Sequence, residues 1–97
     1  MDFTSIHNYY EHLVATYLKT EIVPNHPGQS NDFFMDIACY ALTKLPTRYI
    51  RHDVDMAFYM DEKERANMNA EVKAATDEAL AYIKENFNKD NRYDANS

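Results

Sequence analysis

The sequence predicts a small, mainly α-helical domain of three helices, with a short β-hairpin or single strand between helices 2 and 3. Apolar residues recur at spacings of three and four in three separate stretches, which is the period of a helix face. One Gly and three Pro are too few for the many turns of a β-sandwich or barrel. At 97 residues we expect a single domain over 1–97, with a frayed polar tail over 88–97.

The first helix is predicted to begin after an N-cap at Thr4 or Ser5 and to stop before Pro24. Prolines and the single Gly then indicate a surface loop over residues 23–30. The apolar face of this helix is rich in aromatic residues and consists of Ile6, Tyr10, Leu13, Val14, Tyr17 and Leu18.

The second helix is predicted to have Asn31 or Asp32 as its N-cap and to end at Leu45, because Pro46 disfavours helical geometry in the residue before it. Its apolar positions cover nearly the whole circumference, so we expect neighbours on more than one side. Cys39, the only cysteine, is expected to be buried there as a small apolar side chain. The apolar residues are Phe33, Phe34, Met35, Ile37, Ala38, Tyr40, Ala41, Leu42 and Leu45.

The hydrophobic period changes to two after Pro46, which is typical of strands. Residues 48–51 are expected to form a short strand and residues 52–55 a turn, followed by a second strand through Met60. A lone hairpin is marginally stable in water. It must therefore pack on the helices or pair across a dimer.

The last helix is predicted over residues 62–87, because Asp61 and Glu64 resemble a capping box. Glu64, Glu71 and Glu78 lie off its apolar stripe and indicate a solvated flank. Such a helix is ~40 Å long, whereas a compact domain of this size is ~32 Å across. We therefore expect a second chain to complete its packing, as in a homodimer. The stripe consists of Met68, Val72, Ala75, Ala79, Tyr82, Ile83 and Phe87.

Composition narrows the classes of partner. A net charge of −6 argues against nucleic acid as a partner. No apolar stretch approaches the ~20 residues of a membrane span, and the N-terminus lacks the pattern of a signal peptide. A single cysteine suits a reducing compartment, so we expect a soluble cytoplasmic protein.

A local group of cations is the candidate binding site. No acidic residue occurs between Ile37 and His52, and the sign of the charge reverses immediately afterwards. Arg can clamp a phosphate through two bonds and stack on a base, and a carboxylate can accept from a guanine edge. Equally open is a structural role, in which the arginines pair with the following aspartates or with the acidic start of the last helix. The candidate residues are Lys44, Arg48, Tyr49, Arg51, His52, Asp53 and Asp55.

No constellation for catalysis or metal binding is evident in the sequence. The four histidines lack the spacing of a zinc site, and a chain with one Gly has no Gly-rich phosphate loop. No serine lies in a nucleophile elbow. We therefore predict that the chain is not an enzyme and carries no cofactor and no metal.

The stretch from Asp36 to Met60, DIACYALTKLPTRYIRHDVDMAFYM, resembles the late-competence protein ComFB family of bacteria. The flanking helices also fit the family layout, so the resemblance covers most of the chain. Thr47 stands where the family usually has a second Pro. The hallmark D-x-A-x-x-A-L-x-x-L-P-x-R-Y is matched by Asp36, Ala38, Ala41, Leu42, Leu45, Pro46, Arg48 and Tyr49.

The resemblance implies a homodimeric, mainly helical protein, and some ComFB-like domains are receptors for cyclic di-GMP or cyclic di-AMP. It favours a signalling protein that binds a cyclic dinucleotide, cyclic di-GMP first, at a dimeric basic site. Arg48 and Arg51 would contact phosphate, Tyr49 would stack or hydrogen-bond, and Asp53 or Asp55 would contact the guanine edge. The common cyclic di-GMP motifs are absent from the sequence, and the cysteine zinc site of some members cannot be formed.

Two alternatives remain open at this level. Arg48 can instead cap the carbonyl groups at the end of the second helix, where a cation is favourable. The chain can also be a dimeric interaction module that docks a protein effector of a competence or motility system, without a small-molecule ligand.

Overall fold

Three helices and a two-stranded antiparallel sheet form the part of the chain that the computed structural model describes, residues 3–51 and 60–87. The predicted mainly α-helical fold is thereby confirmed. Within these ranges, no helix is both long and apolar enough to cross a bilayer. The regular elements are β1 (Ile6–Asn8), α1 (Tyr9–Tyr17), α2 (Asn31–Thr43), β2 (Tyr49–Arg51) and α3 (Glu62–Phe87).

The first helix begins later than the sequence predicts. Residues Ile6–Asn8 form β1, preceded by a 3₁₀ turn over Phe3–Ser5. Asn8 is the N-cap of α1, since its Oδ1 accepts a hydrogen bond from the Tyr10 N–H at 3.2 Å. The predicted caps Thr4 and Ser5 were wrong. A three-residue strand is too short for its period to be distinguished from a helix start.

The predicted strand at 48–51 is confirmed as β2, and its described partner is β1. The predicted turn and most of the second strand, residues 52–59, lie outside the described residues. Met60, the last residue of that predicted strand, is buried in the core and has no strand geometry. The register pairs Ile6 with Arg51, His7 with Ile50 and Asn8 with Tyr49.

The chain leaves α1 through two irregular turns. A π-helical turn, Leu18–Ile22, is followed by a 3₁₀ turn, Val23–Asn25, which contains Pro24. Because proline has no N–H to donate, the α-helix cannot continue through it. Gly28 then adopts a φ of +90°, which favours glycine. Leu18 and Ile22 remain buried, so the π turn belongs to the core.

Helix α2 begins one residue earlier than predicted, because Ser30 is its N-cap and accepts from the Phe33 N–H at 3.1 Å. Only one line of this helix is fully buried, formed by Phe33, Ile37 and Ala41. Met35 is 55% exposed and Cys39 is also exposed. Helix α2 packs against both α1 and α3, so the expected neighbours on more than one side are confirmed, whereas the expectation of a buried Cys39 was wrong.

Helix α3 has the predicted bounds, Glu62–Phe87. Asp61 caps it, since its Oδ1 accepts from the Glu64 N–H at 2.8 Å. The apolar stripe is buried from Met68 to Ile83 against the chain's own helices, although Tyr82 is exposed. The Phe87 side chain lies outside the described part. Over this stretch α3 needs no second chain to cover it, so the homodimer stays a prediction.

The core lies where α1, α2 and α3 meet. Helices α1 and α3 run in the same direction, because the Tyr10 hydroxyl donates to Glu71 and the Tyr17 hydroxyl donates to Asp77. The buried cluster consists of Tyr10, Val14, Leu18, Ile22, Phe33, Ile37, Ala41, Met60, Met68, Val72, Ala75, Ala79 and Ile83.

Thr76 on α3 gives a stability prediction. Its side chain is fully buried, and its Oγ1 has no hydrogen-bond partner among the described residues. Thr76→Val keeps the shape and removes the buried hydroxyl, so we expect the free energy of unfolding to rise by about 1 kcal/mol in urea denaturation. Thr16→Val, at an exposed position of α1, is the matched control. A loss of stability on Thr76→Val would show that this hydroxyl is satisfied.

Candidate functional site

The outer face of β2 carries two of the predicted binding residues. Tyr49 is 65% exposed and Arg51 is exposed, whereas Ile50 between them is buried. Side chains alternate along a strand, so Tyr49 and Arg51 share one face and Ile50 points toward the core. Directly paired residues lie on the same face, which places Asn8 and Ile6 of β1 opposite them. We call this surface, formed by Ile6, Asn8, Tyr49 and Arg51, the sheet face.

The Asn8 side chain holds this sheet against α1. Its Oδ1 accepts from the Arg48 N–H at 2.9 Å as well as from the Tyr10 N–H. The Tyr9 N–H in turn donates to the Arg48 carbonyl at 2.7 Å. The residue that caps α1 thus also fixes the main chain entering β2. Sequence reasoning missed this role, although an Asn ahead of an apolar helix face is a recognisable cap signal.

The Arg48 guanidinium lies beside the start of α3. Its Nη2 is 3.5 Å from Glu64 Oε1, and the two side chains are 37% and 43% exposed. Of the interpretations left open by the sequence, pairing with the acidic start of the last helix is confirmed for Arg48. At the end of α2, the Ala41 and Leu42 carbonyls accept from the Lys44 N–H. The main chain therefore satisfies carbonyls that an Arg48 cap was suggested to cover.

Further acidic groups surround the Arg48–Glu64 pair. The Tyr10 hydroxyl donates to Glu71 Oε1 at 3.3 Å. Burial raises the pKa of Tyr10, and the charges of Glu71 and Glu64 add to this, while Arg48 acts in the opposite direction. Arg48 therefore lies among two carboxylates and a neutral phenol, and a bound phosphate would have to compete with Glu64.

Lys44 contacts an aromatic pair that joins α2 to α3. Its Nζ lies 5.5 Å from the centroid of the Tyr40 ring, within range of a cation–π interaction. The Tyr40 ring stacks on Tyr82 at 4.4 Å and 18°. His52, Asp53 and Asp55 lie outside the described residues, so their predicted roles stay predictions.

The comparison with known families decides the identification. Residues 7–87 match the family model described as Late competence development protein ComFB. The chain belongs to the ComFB family. The resemblance drawn from the L-P-x-R-Y run is confirmed. No curated protein and no solved structure matches the chain significantly. ComFB membership supports a competence-related regulatory protein.

The ComFB hallmark run contributes to the fold in two ways. Its helical half places Ala41 in the core and packs Ala38 and Leu42 at the edge of the core. Its L-P-x-R-Y half carries the chain from the end of α2 to the sheet, where Arg48 and Tyr49 meet the Asn8 side of β1. The motif therefore links the core to the sheet face.

A second polar cluster joins α1 to α3 and was missed at the sequence level. The Tyr17 hydroxyl donates to Asp77 Oδ1 at 2.8 Å, and Lys73 Nζ is 2.8 Å from Asp77 Oδ2. Partial burial acts to raise the pKa of Asp77, but the hydrogen bonds from Lys73 and Tyr17 outweigh it and lower that pKa. The i, i+4 spacing of Lys73 and Asp77 was the available signal.

Tyr17 and Lys73 of this cluster line a cavity of about 410 Å³ between α1 and α3. Thr16 and Asn69 add polar groups to it, and Glu21 adds a negative charge. Lys73 is already paired with Asp77, so the cavity lacks a surplus of positive charge for an anion. We assign the cluster a structural role. Within residues 3–51 and 60–87, no group of three or more His, Cys, Asp or Glu is arranged to hold a metal ion.

Asn8 gives a prediction for the site. Asn8→Ala removes the acceptor shared by two main-chain N–H groups, so we expect the free energy of unfolding to fall by about 1–2 kcal/mol. Asn8→Asp keeps an acceptor and suits a helix N-terminus, so it should retain most of the stability. Urea denaturation measures both variants. Equal stability of Asn8→Ala and the wild type would contradict the role of the shared oxygen.

Asp77 gives a pH prediction. Because its folded-state pKa lies below the ordinary value of 3.8, its charge stabilises the fold above that value. This contribution is lost as the pH falls through the folded-state pKa. We expect Asp77→Asn to be less stable than the wild type at neutral pH, with the difference in unfolding free energy closing below about pH 4. Glu78→Gln, at an exposed position one residue along α3, is the control for the loss of one negative charge.

Proposed function

We propose that this ComFB-family chain is a non-enzymatic regulatory protein that binds a cyclic dinucleotide, with cyclic di-GMP as the first candidate. The observation that supports it most is the sheet face, where an exposed tyrosine ring and an exposed guanidinium stand on one side of β2. Tyr49 is the last residue of the family's L-P-x-R-Y run, and Arg51 follows two residues later. The proposed site is the sheet face together with His52, Asp53 and Asp55, which follow Arg51 in the sequence.

The two side chains match the two kinds of group in the ligand. A guanidinium can clamp a phosphate with two charge-assisted hydrogen bonds, which is the role proposed for Arg51. An aromatic ring stacked on a base contributes ~1–3 kcal/mol, which is the role proposed for Tyr49. Residues two positions apart on a strand are ~7 Å apart, so the Tyr49 ring and the Arg51 guanidinium can contact neighbouring parts of one nucleotide.

The other candidate residues take unequal parts in this proposal. The Arg48–Glu64 pair is partly exposed, and such pairs contribute only ~0–1 kcal/mol, so a phosphate can displace Glu64 at modest cost. Lys44, seated over Tyr40, is a weaker candidate for a ligand contact. Asp53 or Asp55 remains the proposed acceptor for the guanine edge, with His52 beside them.

A homodimer in the cytoplasm completes the proposal. A two-fold symmetric ligand suits a site that is repeated by a two-fold dimer. A chain with one exposed cysteine suits a reducing compartment.

A second candidate function is supported by a separate observation. Phe3 is 71% exposed and Ile6 is also exposed, and Ile6 shares the sheet face with Tyr49. Exposed apolar side chains close together are typical of protein docking surfaces. In this alternative, the sheet face binds a protein effector and no small molecule.

Calorimetric titration separates the two functions. Cyclic di-GMP should bind the wild-type protein, and cyclic di-AMP and linear dinucleotides measure selectivity. Arg51→Ala and Tyr49→Ala should each weaken binding at least tenfold, about 1.4 kcal/mol, with the melting temperature unchanged because both side chains are exposed. Lys84→Ala, an exposed cation near the far end of α3, is the matched control and should bind normally.

The outcomes against the proposal are distinct. No heat of binding and no thermal shift with any of these nucleotides would remove the receptor function and leave the docking function. Full binding by both Arg51→Ala and Tyr49→Ala would remove the sheet face as the site. If Arg48→Ala binds normally and melts at a lower temperature, Arg48 is structural only.

A further inference from the structure

The pair α1–α2 leaves an open apolar groove on the surface. It has a volume of about 600 Å³ and is lined mainly by apolar side chains, among them Val14, Leu18, Val23, Phe34, Met35 and Leu42. Met35 is 55% exposed, and Val23, in the 3₁₀ turn after α1, is also exposed. Met35 is one of the apolar positions of the second helix for which the sequence predicts neighbours. The groove is therefore an exposed apolar surface of the kind that other molecules cover.

The rim of the groove carries one charge of each sign. Glu11 and Lys19 lie eight residues apart, with Ala15 midway, and residues at i, i+4 and i+8 lie along one side of a helix. All three are exposed. Glu11 and Lys19 make no ion pair or side-chain hydrogen bond within the described residues. In a chain of net charge −6, this rim is locally neutral.

This pattern is complementary to itself under a two-fold rotation. If residues 9–19, which comprise α1 and the first part of the π turn, lie antiparallel to the same residues of a second copy with the axis at Ala15, Glu11 of each copy meets Lys19 of the other. Each pair then lies about 6 Å along the helix from the axis, at 1.5 Å per residue. The small Ala15 side chain lets the two helices approach closely. A two-fold interface uses the same patch on both chains, which this arrangement satisfies.

We infer that the α1–α2 groove is the interface between two copies of this chain, with Glu11 of each facing Lys19 of the other. Two helices from each copy then form a four-helix contact that covers Met35 and Val23. The inference rests on the homodimer of the proposed function and names the surface that the two chains share. The apolar stripe of α3 is not available as the interface between the two copies, because its own chain buries it from Met68 to Ile83. A second copy is favoured over an unrelated helix because it already carries both charges in the required order.

Charge reversal on the full-length chain tests the interface. Sedimentation equilibrium should give twice the chain mass of 11.4 kDa for the wild-type protein. E11K alone places Lys against Lys at both ends of the interface, and K19E alone places Glu against Glu. Each should weaken self-association at least tenfold. Glu85→Lys, the same change of charge at an exposed position of α3, should leave the dimer intact.

Mixing the two variants tests the antiparallel geometry. A chain with E11K presents two lysines and a chain with K19E presents two glutamates, so the mixture should form a heterodimer. The double variant E11K/K19E should also regain the dimer. Ala15→Cys in a Cys39→Ser background should form a disulfide between chains under mild oxidation, because position 15 lies at the axis. Circular dichroism melts show whether each variant is folded.

Three results would overturn the inference. They are a monomeric wild-type protein at every concentration, single reversals that dimerise as well as the wild type, and folded single variants whose mixture stays monomeric. Titration with cyclic di-GMP keeps this test separate from the ligand proposal. A wild-type dimer that binds no nucleotide would support the interface and exclude the receptor function. A monomer that binds cyclic di-GMP would support the receptor function and exclude the interface.

Discussion

One amide oxygen holds the sheet end of this molecule together. Asn8 Oδ1 accepts from the Tyr10 N–H, which starts α1, and from the Arg48 N–H, which leads into β2. These groups are far apart in the chain, so a single acceptor joins the first helix to the segment after the second. Each donor would otherwise lack a partner in a partly buried position, and an unmade bond there costs ~1–3 kcal/mol. The position of β2, and with it the sheet face, depends on this oxygen.

The fold separates three surfaces that serve different purposes. The apolar stripe of α3 is buried in the core of its own chain. Polar side chains beside this stripe hold α3 against α1 through the Tyr10–Glu71 and Tyr17–Asp77 hydrogen bonds. The sheet face presents a ring and a guanidinium outward. The groove of α1–α2 presents apolar side chains with one charge of each sign at its rim. Ligand and second copy therefore occupy different parts of the molecule in the proposals made above.

Prediction succeeded where a signal was long or chemically specific. The bounds of α3 follow from a cap at Asp61 and an apolar stripe through Ile83. Pro46 predicts the end of α2 at Leu45, and the helix ends two residues earlier, at Thr43. Prediction from the sequence failed where the pattern spanned only a few residues. Ile6 fits the helix period as well as it fits a strand, and nothing local indicates that β1 pairs with β2. Cys39 illustrates another failure, since an apolar neighbourhood in sequence does not say which side of a helix has neighbours.

The amino-acid sequence by itself determined the three helices, the cap of α3 at Asp61, the resemblance to the ComFB family and the concentration of cations after Leu45, because these depend on neighbours a few residues apart. Tertiary structure alone decided that Arg48 pairs with Glu64, that Tyr49 and Arg51 face outward together, and that α2 keeps an uncovered side. Each of these is a contact, or a missing contact, between distant parts of the chain. Such contacts are set by how helices of given length pack around one small core, which no local pattern encodes.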